Sequence, residues 1–163
     1  FNFATMQFWN TINNNGYEVL FALAVANVSA QILKVLISSL RHDKTQYKLA
    51  VSTGGMPSSH SATVIAMATS IGLTEGFNSS LFALSLCVSF IVMYDAAGIR
   101  RSASRQAIVI NQIIKVITKD IPSLNTKRLK ELLGHSPTEV IAGAVWGILV
   151  SFSLRAFIKY ITH

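Results

Sequence analysis

Long apolar runs separated by short charged segments form the main pattern of this 163-residue chain. The runs 19–40, 81–99 and 140–158 approach the roughly 20 residues that a helix needs to cross a bilayer. A fourth run, 60–73, covers only about 21 Å at a rise of about 1.5 Å per residue, so it spans only where the preceding loop extends it or the protein is thin. The pattern predicts a bundle of about four membrane-spanning helices.

Residues 103–118 show a different pattern, with apolar and polar residues on separate helical faces. This pattern predicts an amphipathic helix that is interfacial or re-entrant rather than spanning. If it crossed the membrane, residues 119–135 would change sides; otherwise residues 120–131 form a polar loop on the inner face. The apolar face carries Ile110, Ile113, Ile114 and Ile117, and Asn111, Gln112 and Lys115 lie away from it.

The composition predicts an all-α integral membrane protein. With 51% hydrophobic and 13% charged residues, the chain is too apolar for an ordinary soluble domain. We find neither an internal repeat nor a polar second domain, which predicts one membrane domain over residues 1–163. The single Cys87 excludes an intrachain disulfide, and we see no secretory signal, because no basic segment precedes a short apolar core.

Positive charges collect at two places along the chain, where they can report the orientation. Fourteen Lys and Arg residues against seven Asp and Glu give a net charge of +7. By the positive-inside rule, the clusters place the amino terminus outside. The runs 60–73 and 81–99 then form a hairpin with an outer turn, and the run 140–158 points outward. The alternative is that these cations serve a phosphate site and carry no information on insertion. The clusters are Arg41, Lys44 and Lys48 after the run 19–40, and Arg100, Arg101 and Arg105 after the run 81–99.

A polar stripe follows the first apolar run, where Asn27, Gln31, Lys34, Ser38 and Arg41 recur at spacings of three or four residues. Such a stripe should face protein, because an ionisable group is costly in hydrocarbon and marks a functional site by default. Lys34 and Arg41 could close on one phosphate. The alternative is that both side chains snorkel to the inner interface and bind lipid headgroups nonspecifically.

The segment 54–62, Gly-Gly-Met-Pro-Ser-Ser-His-Ser-Ala, joins a glycine-rich loop to a helix start. Its glycines let the backbone approach an oxyanion, and Ser58 or Ser59 can cap a helix whose first N–H groups carry a partial positive charge. His60 can then donate a proton to a leaving group. The alternative is a Pro-Ser helix start beside an ordinary surface histidine. The two glycines are Gly54 and Gly55.

A second histidine precedes the last apolar run in a similar setting. Ser136 is a natural N-cap, Pro137 is a favoured first helical residue, and Glu139 follows the cap by three, which together predict a capping box. Glu139 could also accept the imidazole N–H of His135, fixing its tautomer and raising its nucleophilicity. The structural and the chemical interpretation are compatible.

These features resemble the type 2 phosphatidic acid phosphatase superfamily, which is related to vanadium haloperoxidases. That superfamily uses the motifs Lys-x6-Arg-Pro, Pro-Ser-Gly-His and Ser-Arg-x5-His-x3-Asp. Lys34 and Arg41 match the first motif, with His42 in place of proline. Residues 57–60 match the second, with Ser59 in place of glycine.

The third motif matches at its end, where His135 and Glu139 have the expected spacing, with glutamate for aspartate. Leu129 stands where the arginine is expected. Arg128 beside it could serve, or the motif is split by an insertion and the arginine follows the third apolar run; we favour the split. The whole pattern, from about residue 31 to residue 147, resembles a divergent bacterial and plastid membrane branch of the superfamily. The arginines of the split arrangement are Arg100 and Arg101.

The resemblance implies phosphoryl transfer through a phosphohistidine. His135 attacks phosphorus, Glu139 orients it, and His60 protonates the leaving alcohol before water releases phosphate. Fixed cations and backbone N–H groups neutralise the charge of the loose transition state, so no metal or other cofactor is required. The implied phosphate-binding residues are Lys34, Arg41, Arg100, Arg101, Ser58 and Ser59, and the supporting residues are Asp95, Gln31, Gly54 and Gly55.

Asp95, at the inner end of the third run, has two interpretations. It pairs with Arg100, Arg101 or Lys34 to hold them in place, since an unpaired buried charge is costly. Alternatively, it is a metal ligand together with the two histidines and Glu139, although no spacing here has the specificity of a metal motif.

The expected function is a lipid phosphate phosphatase that hydrolyses a phosphomonoester or pyrophosphate reaching the site from the inner leaflet. The expected home is a bacterial cell membrane, with a plastid membrane as the alternative. A noncatalytic membrane protein that keeps the phosphate pocket is the competing hypothesis, and oxidative vanadium chemistry is a weaker one because no halide-peroxide pocket is evident. Because the cations flank spans, we expect the bilayer and a lipid phosphate as partners, and no nucleic acid.

Overall fold

The computed structural model describes residues 3–40, 55–120 and 134–162. Within these ranges every regular element is an α-helix, which confirms the predicted all-α membrane bundle. The helices are α1 (Phe3–Ile12), α2 (Gly16–Leu40), α3 (Ser59–Glu75), α4 (Ser80–Ala97), α5 (Ile99–Asp120) and α6 (Pro137–Thr162).

A short turn joins α3 to α4, and local chemistry accounts for its position. Gly76 ends α3 at a φ of 94°, in the left-handed region that favours glycine. Ser79 then caps α4, because its Oγ accepts a hydrogen bond from the N–H of Phe82 at 3.2 Å. The two helices therefore form the hairpin that the apolar runs predict.

Helix α3 lies at the centre of the bundle and packs against α2, α4 and α6. Its approach to α6 is close because small residues recur every four positions on α6. A Cβ at Gly143 or Gly147 would lie under 3.0 Å from the carbonyl oxygen of Ser58 or Ala62. Ser151 Oγ continues the row and donates to the carbonyl oxygen of Ala66 at 3.0 Å. The two backbones are thus nearly in contact, as in membrane helix pairs built on small residues.

Contacts between the helices fix their directions. Ser58, Ala62 and Ala66 of the α3 side meet α6 in ascending order, so α3 and α6 run parallel. Helix α2 runs antiparallel to α3, since Asn27 Nδ2 donates to Thr63 Oγ1 at 2.9 Å and Gln31 meets α3 at its first residue. The starts of α3 and α6 and the end of α2 consequently lie at one end of the bundle.

The outer surface of the bundle is apolar, as expected of a multi-pass membrane protein. On α2, for example, Val28, Ile32 and Leu36 are each more than half exposed. Three described helical stretches are long and apolar enough to cross a membrane, namely Gly16–Leu40, Ser80–Ile117 and Pro137–Thr162. Helix α3 has 17 residues, so its role as a fourth span stays a prediction.

The predicted amphipathic segment is helical, and α5 extends it in both directions. Among the described helices α5 contacts only α4. Ile110, Ile113 and Ile117 are exposed, Ile113 to 52%. Ser104 and Asn111 are buried. Three of the four isoleucines on this face are therefore exposed, and the interfacial or re-entrant placement of the helix stays a prediction. Of the predicted polar loop 120–131, Asp120 ends α5 and the rest lies outside the described residues.

The opposite end of the bundle is closed by a charged cluster that sequence reasoning did not single out. Glu18 is 1% exposed, and its Oε2 accepts from Arg155 Nη1 at 2.5 Å and from the backbone N–H of Asn14 at 2.7 Å. This pair joins the start of α2 to the end of α6. Beside it, Trp9 packs edge-on against Phe157.

Candidate functional site

Two histidines from distant parts of the chain meet at the end of the bundle where α3 and α6 begin. Their ring centroids lie 6.0 Å apart, with an angle of 64° between the ring planes. His135 is 2% exposed, whereas His60 is partly exposed. The structure therefore places a buried and a more accessible imidazole at one position.

Glu139 holds the buried imidazole and caps α6 with the same oxygen. Its Oε2 lies 3.1 Å from His135 Nδ1 and accepts from the backbone N–H of Ser136 at 3.1 Å. Ser136 Oγ in turn accepts from the backbone N–H of Glu139 at 3.3 Å, which completes the capping box. Because a carboxylate only accepts, this contact places a proton on Nδ1, and the neutral form of the ring then has its lone pair on Nε2.

The start of α3 is fixed to the start of α6 through Ser58. Its backbone N–H donates to the carbonyl oxygen of Glu139 at 3.0 Å. Its Oγ accepts from Ser61, from the backbone N–H at 3.4 Å and from Oγ at 3.1 Å, so Ser58 rather than Ser59 is the N-cap. These contacts set the position of His60, two residues later, relative to His135.

The loop before α3 approaches the site through Gly55, whose φ of 97° lies in the region that favours glycine. The following Met56–Pro57 peptide bond is cis, and Pro57 is buried. Gly54 lies outside the described residues. A glycine-dependent turn thus delivers Ser58 to its partners.

The polar stripe of α2 faces the protein interior, as its spacing predicts. Gln31 Nε2 donates to Ser59 Oγ at 3.1 Å, and Ser38 is 8% exposed. Lys34, between them, is 1% exposed, and its charge is attracted by that of Glu139. Lys34 is therefore buried near the histidines and does not snorkel to an interface.

Comparison with known proteins gives these contacts a family context. The Divergent PAP2 family matches residues 15–150, which includes both histidines, Lys34 and Glu139. The chain belongs to this family. It is 44% identical over 151 residues to the uncharacterized membrane protein YuiD of Bacillus subtilis (strain 168), an alignment that covers 86% of this chain and 95% of the relative. No solved structure matches the chain.

Two departures from the superfamily motifs have a structural account in this member of the Divergent PAP2 family. Ser59 stands where the motif has glycine, and its hydroxyl accepts from Gln31, so the extra side chain ties α3 to α2. Glu139 stands where the motif has aspartate, and its carboxylate serves both His135 and the α6 cap. Both side chains have partners within the fold.

The arginines of the family motifs are not settled by the structure. Arg100 and Arg101 belong to the first turn of α5, but their side chains are not described. Arg41 and residues 128–129 lie outside the described ranges, together with His42. The choice between a split and a shifted third motif therefore stays open. Asp95 lies in the last turn of α4 and is half-buried.

A metal centre has no visible ligand set in the part of the chain that the structure describes. No three His, Cys, Asp or Glu residues converge there in a way that could hold an ion. The alternative role of Asp95 as a metal ligand beside the two histidines thus finds no support among residues 3–40, 55–120 and 134–162. Chemistry without a cofactor stays a prediction.

Sequence reasoning missed the packing that brings the histidines together. The row Gly143, Gly147 and Ser151 lets α6 approach α3. The available signal was the recurrence of small residues at every fourth position. The structure also gives Trp146 a specific contact, since its Nε1 donates to Ser29 Oγ at 2.9 Å across the seam between α2 and α6.

Proposed function

We propose that this member of the Divergent PAP2 family hydrolyses the phosphomonoester or pyrophosphate of a membrane lipid. The observation that carries the proposal is the pairing of His60 and His135 at 6.0 Å, with Glu139 on the far nitrogen of His135. A buried nucleophile with an oriented tautomer and a second, more exposed imidazole suits a two-step displacement.

In the first step, the lone pair of His135 Nε2 attacks phosphorus and the bond from phosphorus to the leaving oxygen breaks. Protonated His60 gives its proton to that oxygen, so the lipid alcohol, or the lipid phosphate when the substrate is a pyrophosphate, leaves protonated. Glu139 stabilises the positive charge that develops on the His135 ring. Because the rings are already at contact distance, His60 turns outward to admit the phosphate, which its partial exposure permits.

In the second step, water attacks phosphorus and His60 takes a proton from it, so that phosphate is released and His135 is regenerated. Lys34 and the first N–H groups of α3 neutralise the phosphoryl oxygens. Arg41 and one arginine of the 100–101 pair complete this set in the proposal. The burial of Lys34 strengthens its attraction to the phosphate because little water screens it.

The charge pattern of the sequence orients the site toward the cytoplasmic side of a bacterial membrane. The substrate then enters sideways from the inner leaflet, with its chain in the bilayer and its phosphate at the histidines.

Phosphate release from lipid phosphates by the purified protein tests the proposal. His60→Ala should lower the rate on the order of 10²–10⁴-fold, the usual contribution of a proton-transfer group. His135→Ala should lower it by at least as much, because it removes the nucleophile. The matched control is His163→Ala at the last residue, outside all three motifs, which should keep the rate. Equal rates in all three variants would exclude the mechanism, and saturable binding without release would indicate the noncatalytic alternative.

A further inference from the structure

An apolar groove of about 320 Å³ lies beside the histidine site, between α2 and α6. Its surface is almost entirely carbon, which distinguishes it from the polar histidine site. The proposed chemistry uses none of its side chains. The groove is lined by Leu33 and Ile37 of α2, by Met56 and Pro57 of the loop, and by Ala142, Val145, Trp146 and Leu149 of α6.

The α6 wall of the groove leads directly to the acid that holds the nucleophile. Ala142, Val145, Trp146 and Leu149 recur at spacings of three, one and three, so they form one stripe on the helix. The same stripe continues one turn toward the helix start and reaches Glu139. The groove and the site therefore share one face of α6.

The α2 wall leads to the buried cation. Leu33 and Ile37 are four residues apart and share one face of α2, and Lys34 lies three residues before Ile37 on the adjoining buried face. Pro57 lines the groove and is followed by the α3 cap, Ser58. The groove consequently has apolar walls, and the buried Lys34, the α3 cap and Glu139 lie next to these walls along the same chain segments. That distribution complements an amphiphile with an anionic head.

The Trp146 indole forms a fixed wall of the groove, and the outer rim of the groove is exposed. The bond from Trp146 Nε1 to Ser29 fixes the indole across the seam, while its carbon atoms line the groove. Met56 is 40% exposed, and Val145 and Leu149 are each about half exposed, so the outer rim faces the bilayer. A chain can therefore enter sideways without leaving hydrocarbon.

The size of the groove limits what it can hold. Its volume of about 320 Å³ is several times the roughly 30 Å³ that one water-sized unit occupies, so the groove has room for a hydrocarbon segment.

We propose that this groove seats a single hydrocarbon chain of the lipid phosphate, the segment next to the phosphate. The proposal rests on the phosphatase function and deepens it, because it makes the chain a determinant of specificity. A phosphate with one extended chain enters the site in register with the histidines, and a short phosphomonoester lacks this contact. The groove thus selects long-chain amphiphilic phosphates by their apolar part.

Filling the groove tests this specificity with two substrates, dodecyl phosphate and phenyl phosphate. Ala142→Phe should lower kcat/KM for dodecyl phosphate on the order of tenfold or more, mainly through KM, and should leave phenyl phosphate nearly unchanged. The matched control is Ile141→Phe, one residue away, where the side chain is 60% exposed and does not line the groove. If Ala142→Phe fails to fold, Val145→Phe at the exposed rim replaces it.

A binding assay separates the groove from the chemistry. The chain has two tryptophans, and Trp9 lies at the opposite end of the bundle, so Trp9→Phe leaves Trp146 as the only reporter. A dodecylphosphonate brominated along its chain, which cannot be hydrolysed at its carbon–phosphorus bond, should quench Trp146 saturably. The brominated alcohol of the same length should quench it more weakly, and addition of Ala142→Phe should abolish saturation.

The outcomes distinguish the two proposals. Saturable quenching without phosphate release from either substrate would keep the groove and overturn the phosphatase. Equal loss of activity on both substrates, no loss on dodecyl phosphate, or equal quenching by alcohol and phosphonate would overturn the groove and leave the phosphatase in place.

Discussion

At the residue scale, Glu139 shows how one side chain can serve architecture and chemistry together. Its Oε2 contacts both His135 Nδ1 and the Ser136 N–H, each at 3.1 Å. The first contact needs a charge to stabilise an imidazolium, whereas the second needs only an acceptor. Substitutions can therefore separate the two roles.

Glu139→Gln keeps an oxygen for the α6 cap and removes the charge. We expect the variant to stay folded, with phosphate release lowered on the order of 10²–10⁴-fold, because the amide can hold the wrong histidine tautomer. Thermal unfolding in detergent and the release assay measure the two effects. Glu75→Gln, at an exposed position near the other end of α3, is the control. A loss of activity that only follows a loss of folded protein would contradict the assignment.

Lys34 is a second side chain whose structural and chemical roles can be measured separately, because its buried charge is attracted by that of Glu139. Lys34→Met keeps an apolar side chain of similar length but removes this attraction, so thermal stability should fall. Phosphate release should fall on the order of 10²–10³-fold, the usual effect of removing one group that stabilises a developing oxyanion. Lys159→Met, at an exposed position on α6, should change neither quantity. Unimpaired release by Lys34→Met would remove Lys34 from the site.

At the scale of elements, the contact between α3 and α6 sets the distance between the histidines. Gly143 faces the carbonyl oxygen of Ser58 without room for a Cβ, and the Ser58 N–H bonds to Glu139 just beyond. Packing and site geometry are thus coupled at the start of both helices.

Gly143→Ala should push the two helices apart, since backbone atoms cannot yield as a flexible side chain can. We expect a loss of about 1–3 kcal/mol in the free energy of unfolding, as in other overpacked cores, and a lower rate of phosphate release. Thermal unfolding and the release assay check this. Gly16→Ala is the control, because a Cβ there has nothing within 4 Å. Unchanged stability of Gly143→Ala would contradict the close approach of α3 and α6 at this position.

At the scale of the whole molecule, the helix directions place both histidines at one end and the Glu18 and Arg155 pair at the other. The structure thus shows that the histidines and the Glu18 and Arg155 pair lie at opposite ends of the bundle. Which end faces the cytoplasm rests on the charge pattern of the sequence alone.

Cysteine labelling tests the orientation, since the chain has one cysteine to remove. In a Cys87→Ser background, Asn78→Cys lies in the turn between α3 and α4, and Ser102→Cys lies near the start of α5; both positions are exposed. A membrane-impermeant maleimide should label position 78 in intact cells and position 102 only after permeabilisation. The reverse result would place the histidines on the outer side.

The sequence by itself determined the features that depend on local spacing. Hydropathy predicted a membrane bundle. The three- and four-residue spacing of Asn27, Gln31 and Lys34 predicted a stripe that faces the protein interior, and residues 136–139 predicted a capping box. These follow from helix periodicity and from backbone groups within one turn, so no distant contact is needed. The motif resemblance likewise predicted the family that the comparisons then showed.

Only the tertiary structure decided which distant residues meet. That Ser58 is the cap, that His60 and His135 face each other, and that a groove opens beside Lys34 all depend on α6 lying parallel and close to α3. Periodicity identifies the buried face of each helix but not the helix that it faces or the register of the pair. That choice is made by the whole set of packed surfaces, here through two glycines that leave room for a neighbouring backbone.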